Sequence, residues 1–341
     1  MGRKIRGREI SGWVNLDKPR EMGSTPAVAA VRRMFNAKKA GHAGTLDPLA
    51  SGILPVALGE ATKTVQFMQA AQKVYEVTLC WGAATQTDDA EGDIIATSDH
   101  RPSAEDIGAA LQYFTGDIMQ TPPAFSAVRK DGVRAYKLAR AGETVTLAPR
   151  QVYINEIILA GSASPDSCTL QVVCGKGVYI RSLARDLALH LGTFAHVTAL
   201  RRTSVGPFDE KNAIGLEKLE TLRHIVPDLA ALDAHVLPLM TVLDDIPALA
   251  VSVQQASRIR QGQAISLVDL SDHRAAMADA GTTWKFVAVH DDMPVAICTC
   301  KEARRASGQG FQLSASRSGA MGRKAPKKEL RCRLAKSANR R

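Results

Sequence analysis

Among the 341 residues, one stretch gathers the ingredients of a reactive carboxylate: Gly41-His42-Ala43-Gly44-Thr45-Leu46-Asp47-Pro48-Leu49-Ala50-Ser51-Gly52. Three glycines bracket a single acid, and glycine lets backbone turn sharply or come close to a ligand. Two readings of Asp47 follow. Pro48 suits the first position of a helix, so Asp47 could be a helix cap. Alternatively, Asp47 is a carboxylate nucleophile on a glycine-lined loop that a flat substrate can reach. Local chemistry leaves both open. His42 stands nearby, although a lone histidine is more often structural than functional.

Tyr75 and Arg181 are the next residues with chemistry to offer. Residues 74–81 alternate, so Tyr75, Val77, Leu79 and Trp81 share one face of a strand, with Glu76 and Thr78 on the other. By pattern alone Tyr75 belongs to the core. A phenol ring is equally able to stack on a base and offer its hydroxyl. Arg181 opens a helix, where positive charge opposes the macrodipole, and an acidic partner would account for it.

The elements that must position these side chains follow from local pattern. A strand is expected at 11–17. A helix begins near Thr25-Pro26, with Val28, Val31 and Phe35 at helical spacing and Arg32, Arg33, Lys38 and Lys39 crowding its end. Residues 64–71 form a helix with Val65 and Met68 inward, and residues 85–93 form an acidic turn whose spacing matches no cation loop. Ser103 and Asp106 have the spacing of a capping box that opens a helix running to Phe114. Residues 120–132 are loop-rich, and a short helix at 134–141 carries Arg134, Lys137 and Arg140 on one side. Strands at 152–159 and 168–174 lead to a helix with Leu183, Leu187 and Leu191 inward and Gly192 at its end. After Phe208 the signal weakens to helices and connectors over 212–245, then strand-like runs at 264–267, 284–290 and 295–299.

Bulk composition excludes several classes. No apolar run is long enough to cross a membrane, and the basic start is not followed by the hydrophobic core of a signal peptide. The six cysteines are scattered, with Cys298-x-Cys300 the only close pair, so free thiols in a reducing cytoplasm are expected and a zinc site is not. Gly59-Glu60-Ala61-Thr62-Lys63 lacks the adjacent glycine and lysine of a Walker loop. The net charge of +10 sits at the ends: residues 316–341 hold ten Lys and Arg against Glu329, and residues 1–10 hold four against Glu9, leaving 11–315 at −2.

The run GHAGTLDPLASGILPVALGEATK resembles the catalytic block of the bacterial TruB family of tRNA pseudouridine synthases. Further blocks match in order over residues 14–208: the K-x-Y-E-V segment at Tyr75, the TQTDDAEGD turn with Asp89, KGVYIRSL at Tyr179 and Arg181, and HVTALRR at Leu200. The resemblance implies an α+β pseudouridine synthase fold with a large mixed, mainly antiparallel sheet. It implies a catalytic domain over 11–245 with a thumb-like insertion at about 120–150, a PUA-like RNA-binding domain over 246–313, and a basic disordered tail over 314–341. It makes Asp47 the nucleophile, Arg181 its ion-pair partner, and Tyr75 the residue that stacks on the target base. Tyr179, Leu200 and Asp89 line the site, and His42 helps remodel the T-loop. The implied substrate is the T-stem-loop of tRNA at uridine 55, modified in the cytoplasm by a monomer without guide RNA or membrane. The implied reaction needs no cofactor or metal. The rival readings are a non-catalytic tRNA-binding or folding protein and a guide-dependent rRNA synthase.

The localised charge generates a prediction. Removal of residues 316–341 lowers affinity for every RNA and flattens its salt dependence, because backbone contacts add affinity without sequence information. Filter binding across a salt series checks this; an unchanged slope of log K against log salt removes the tail from the binding account.

Overall fold

The computed structural model describes residues 7–225, 229–261, 263, 283–291, 293–305, 308–320 and 332–333. In chain order the body contains β1 (Gly12–Lys18), α1 (Ser24–Met34), β2 (Ala40–His42), β3 (Ser51–Leu58), α2 (Val65–Ala70), β4 (Lys73–Trp81), β5 (Ala83–Thr85), β6 (Ile94–Thr97), α3 (Ala104–Leu111), β7 (Gly116–Gln120), β8 (Arg129–Lys130), β9 (Val133–Arg134), α4 (Ala135–Arg140), β10 (Arg150–Ser164), β11 (Ser167–Cys174), α5 (Ile180–His190), β12 (Ala195–Val205), β13 (Phe208–Asp209), β14 (Ile214–Gly215), α6 (Leu216–Ile225) and α7 (Ala230–Asp233). Among the described residues ten of these strands build one sheet in the order β14-β1-β3-β12-β4-β11-β10-β7, with β13 on β12 and β2 on β3, while β5–β6 and β8–β9 form separate hairpins. Only β1–β14 and β3–β12 pair in parallel, so the sheet is mixed and mainly antiparallel, as expected.

Alternation along β4 is realised: Val77, Leu79 and Trp81 are buried, as are their β11 neighbours Leu170 and Val172. Helices α1 and α5 close over this face through Val28 and Val31, and through Leu183 and Leu187. The α1 start lies at Ser24, one residue ahead of the Thr25-Pro26 signal. The capping box of α3 forms with both reciprocal bonds, Ser103 to the Asp106 amide and Asp106 to the Ser103 amide.

The C-terminal part is β-rich: β15 (Ala248–Ala250), α8 (Val253–Arg260), β16 (Thr283–His290), β17 (Met293–Arg305), β18 (Gly308–Ala320) and β19 (Cys332–Arg333). The five strands form one sheet in chain order. Val287 and Ile297 of this sheet share a buried cluster with Trp13, Ala57 and Phe208 of the large sheet, so the two units are joined by a common apolar core. Strands β16 and β17 cover the runs expected at 284–290 and 295–299; the run at 264–267 lies outside the described residues. Strand β18 continues past 314, where the disordered tail was expected to begin, and most of the remaining tail lies outside the described residues.

One cross-sheet row prepares the site. Lys18, Gly52, Arg202, Tyr75 and Val172 are successive partners across β1, β3, β12, β4 and β11. Gly52 has φ +100, and a Cβ there would lie 2.2 Å from the Arg202 carbonyl oxygen. Only glycine allows the parallel contact between β3 and β12 at this point. Gly52→Ala is therefore expected to destabilise the fold by at least about 2 kcal/mol, read as a lowered thermal midpoint; an unchanged midpoint would contradict the constraint.

Candidate active site

Asp47 sits in the loop between β2 and β3, and no helix follows it, so the helix-cap reading fails. The loop is tied down on both sides. Ser24, at the start of α1, accepts from the Leu46 amide (2.7 Å) and donates to the Leu46 carbonyl (2.8 Å). The Ala50 amide donates back to the Asp47 carbonyl (3.1 Å), and the Glu21 amide to that of Pro48 (2.8 Å). The Asp47 carboxylate is thereby presented, 39% exposed, on the wall of a cavity of about 580 Å³.

Arg181 meets it there. The second residue of α5, it is almost fully buried, and both terminal nitrogens of its guanidinium find acceptors. Nη2 bonds Asp47 Oδ2 at 2.8 Å and the Phe125 carbonyl at 3.0 Å. Nη1 bonds the Thr87 carbonyl at 2.8 Å and lies 3.4 Å from Asp89 Oδ2. The acidic partner called for by a cation at a helix start is thus two carboxylates. Asp89 is buried behind Arg181 and is absent from the cavity wall; its other oxygen accepts from the Thr87 hydroxyl and the Glu91 amide. One turn along α5, Arg185 holds Asp88 at 3.0 Å and the Thr121 carbonyl at 3.0 Å. Burial raises the Asp88 pKa, opposed by the two arginines of α5.

Tyr75, Tyr179 and Leu200 all line the cavity with Asp47 and Arg181. Burial raises the pKa of both phenols; Arg202 opposes this at Tyr75 and Arg150 at Tyr179. Gln120 brackets Tyr179, accepting from its amide (2.7 Å) and donating to its carbonyl (3.0 Å). The segment expected as a thumb-like insertion contains the β8–β9 hairpin and α4, and its small core of Val128, Ala135 and Leu147 packs against Tyr179. His42 is on β2, half-buried and off the cavity wall. Burial is the main influence lowering its pKa, with Arg202 adding to it and a backbone bond to Gly44 opposing it.

Sequence reasoning missed three cations. Lys18 is fully buried, donates to the Pro19 (2.7 Å) and Met22 (2.5 Å) carbonyls, and is pushed down to about 8 by burial, with Asp47 pulling upward. Lys73 and Arg202 line the cavity and are likewise buried. The available signal was the Arg201-Arg202 pair. Alternation on a strand sends Arg201 to Asp17 and Glu210 on one face and Arg202 inward on the other.

The Arg181 arrangement carries its own prediction. Arg181→Met leaves Asp89 buried without its cation, at a cost of about 3–5 kcal/mol. Adding Asp89→Asn should recover part of that loss. Urea denaturation of the single and double variants checks the pair; wild-type stability in Arg181→Met would contradict it.

Known proteins resemble this chain along most of its length. The TruB family pseudouridylate synthase N-terminal domain matches residues 32–180, and the tRNA pseudouridylate synthase B C-terminal domain matches residues 181–244. That division falls inside the large sheet and between Asp47 and Arg181, so the site draws on both. A tRNA pseudouridine synthase B from Roseobacter denitrificans is 54% identical over 262 residues, covering 77% of this chain and 85% of the relative. The Caulobacter vibrioides protein of the same name is 48% identical over 316 residues, covering 92% of this chain and all of the relative. Among solved structures, an archaeal box H/ACA sRNP Nop10–Cbf5 complex aligns with a TM-score of 0.63 at 22% identity, over 89% of this chain and 85% of the matched one. An H/ACA RNP bound to a substrate RNA containing 2′-deoxyuridine aligns with a TM-score of 0.65 at 21% identity, over 96% and 94%. These structures share the fold. With relatives this similar over nearly their whole length, the chain belongs to the TruB family of pseudouridylate synthases.

Proposed function

We propose that the chain isomerises the T-loop uridine of tRNA, position 55, to pseudouridine, with Asp47 as the nucleophile. The observation that carries this reading is the Asp47 carboxylate, fixed at 2.8 Å by Arg181 on the wall of the cavity that Tyr75 lines. The reaction breaks the N1–C1′ bond, rotates the uracil and forms a C5–C1′ bond, while the C5 proton is lost and N1 gains one. It is atom-balanced within the nucleotide. The chain's residues must therefore extract the base, hold it, supply a nucleophile and move a proton.

Each task has a candidate. The base leaves its loop stack at a cost of a few kcal/mol and stacks on Tyr75, with Tyr179 and Leu200 as the adjoining walls. Arg181 directs the carboxylate as a planar fork, and Asp89 holds Arg181 from behind. His42 acts on the loop that surrounds the flipped base. Exposed Arg134 and Lys137 at α4 suit phosphate contacts from the insertion, and the C-terminal β unit is the PUA-like contact for the rest of the arm. The enzyme works as a monomer in the cytoplasm without a guide RNA. No helix among the described residues is long and apolar enough to cross a membrane.

Single-turnover assays on a T-stem-loop RNA, with binding measured separately, test the reading. Asp47→Asn should bind within a few-fold of wild type and lose at least roughly ten-thousand-fold in rate, the scale of losing a covalent nucleophile. Tyr75→Leu should abolish turnover. Tyr75→Phe separates stacking from proton transfer: a near-normal rate means the ring only stacks, and a stall after glycosidic cleavage means the hydroxyl moves the C5 proton. Pseudouridine formed by Asp47→Asn at a near wild-type rate ends the nucleophile assignment.

A further inference from the structure

Tyr75 is flanked by two cations to which the reaction as described gives no task. Arg202 is its direct partner on β12, and Lys73 lies two residues before it on the same face of β4. Both are almost wholly buried, 1% and 5% exposed, and both reach the cavity wall. Neither is paired with a carboxylate among the described residues. Arg202 donates to the main-chain carbonyls of Ile53 (2.7 Å) and Gly44 (3.1 Å) and also bonds the Tyr75 hydroxyl, while Lys73 donates to the carbonyls of Gln69 (2.7 Å) and Ala71.

Two buried like charges without a counter-ion are unfavourable. Burial, with Arg202 adding to it, pushes Lys73 down to about 8. The fold nevertheless makes room for them. Gly44, with φ +93, lies where a Cβ would come within 3.2 Å of Arg202 Nη1, and Gly52 lies where one would meet the Arg202 main chain. Two of the three glycines around Asp47 are therefore explained by Arg202. The guanidinium carbon is 6.0 Å from the centre of the Tyr75 ring.

We propose that Arg202 and Lys73 form an anion subsite that takes a phosphodiester group of the RNA strand next to the base stacked on Tyr75. The inference rests on reading the cavity as the uridine site. A planar guanidinium beside a point-charge ammonium suits phosphate oxygens. A flipped nucleotide brings such a group with it, and thereby supplies the counter-charge the cavity lacks. The phosphate locates the nucleotide while Tyr75 holds its base, so the pair would set how the sugar faces Asp47.

The test uses T-stem-loop RNAs in which each phosphate flanking the target uridine is replaced, one at a time, by a neutral methylphosphonate. On ordinary RNA, Lys73→Gln and Arg202→Gln should each weaken binding at least tenfold and lower the salt slope by about 0.7, one single-strand phosphate contact. Arg202→Lys should recover part of the loss. On one of the two neutral-linkage RNAs, wild type should be weakened to the same degree and the variants should lose nothing further. Thermal midpoints screen for misfolding, and Lys73→Gln serves if the arginine variants do not fold. Equal losses by the variants on charged and neutral RNAs would overturn the subsite, as would normal wild-type affinity for both neutral RNAs. Normal pseudouridine formation on both neutral RNAs sinks the subsite and leaves the isomerisation standing. Failure of wild type to form pseudouridine on ordinary RNA would instead sink the reading of the cavity.

Discussion

A guanidinium cannot be buried unless its donors are matched, and the site depends on how Arg181 meets that requirement. Its acceptors come from three separate segments: Asp47 on the glycine loop, Thr87 and Asp89 on the acidic turn, and Phe125 in the insertion. Helix α5 thus acts as a clasp. Arg185 repeats the arrangement one turn later, binding Asp88 and the Thr121 carbonyl, and Ser182 adds a second bond to Thr121 at 2.8 Å. Any shift of the insertion is felt at a carbonyl that shares Arg181 with the Asp47 carboxylate. Loops otherwise free to vary are held in register by one helix face.

Beneath that clasp, the sheet carries an unusual line of charge. Lys18, Arg202 and Tyr75 are neighbours across three strand pairs, with Gly52 between the two cations. A side chain at Gly52 would separate β3 from β12, and with them the strand leading from Asp47 from the strand bearing Leu200 and Arg202. The glycines of the Asp47 loop are therefore demanded by close approach as well as by turning. The large sheet also explains why the boundary between the two matched family regions is not a structural one. Strand β12 inserts between β3 and β4, so residues after 181 complete a core begun by residues before it.

Much of this was legible in the sequence, for identifiable reasons. Period-two alternation placed Tyr75 on the apolar face of β4, and the Ser103–Asp106 spacing marked the start of α3. Arg181 at a helix start implied an acid, and Asp47 stood in a glycine-rich block; resemblance then joined them. What remained hidden depends on register between strands far apart in sequence. Nothing local shows that Arg202 lies opposite Tyr75, or that Gly52 sits between Lys18 and Arg202, because pairing of residues 127 apart is decided by the whole sheet. Asp89 was expected on the site wall and lies behind Arg181 instead, since the turn's αL residue Asp88 points the next carboxylate inward toward the buried guanidinium. The helix-cap reading of Asp47 was plausible from Asp-Pro alone and fails because the loop re-enters β3 after a single turn.

The central claim is that Asp47, held by Arg181, modifies the T-loop uridine of tRNA. The most direct measurement is pseudouridine mapping, at single-nucleotide resolution, in tRNA from cells whose only copy of this gene encodes wild type, Asp47→Asn, or nothing. The account predicts that the T-loop signal is complete with wild type and lost in both other strains, with pseudouridines elsewhere in tRNA and in rRNA unchanged. An intact T-loop signal in the Asp47→Asn strain would contradict it.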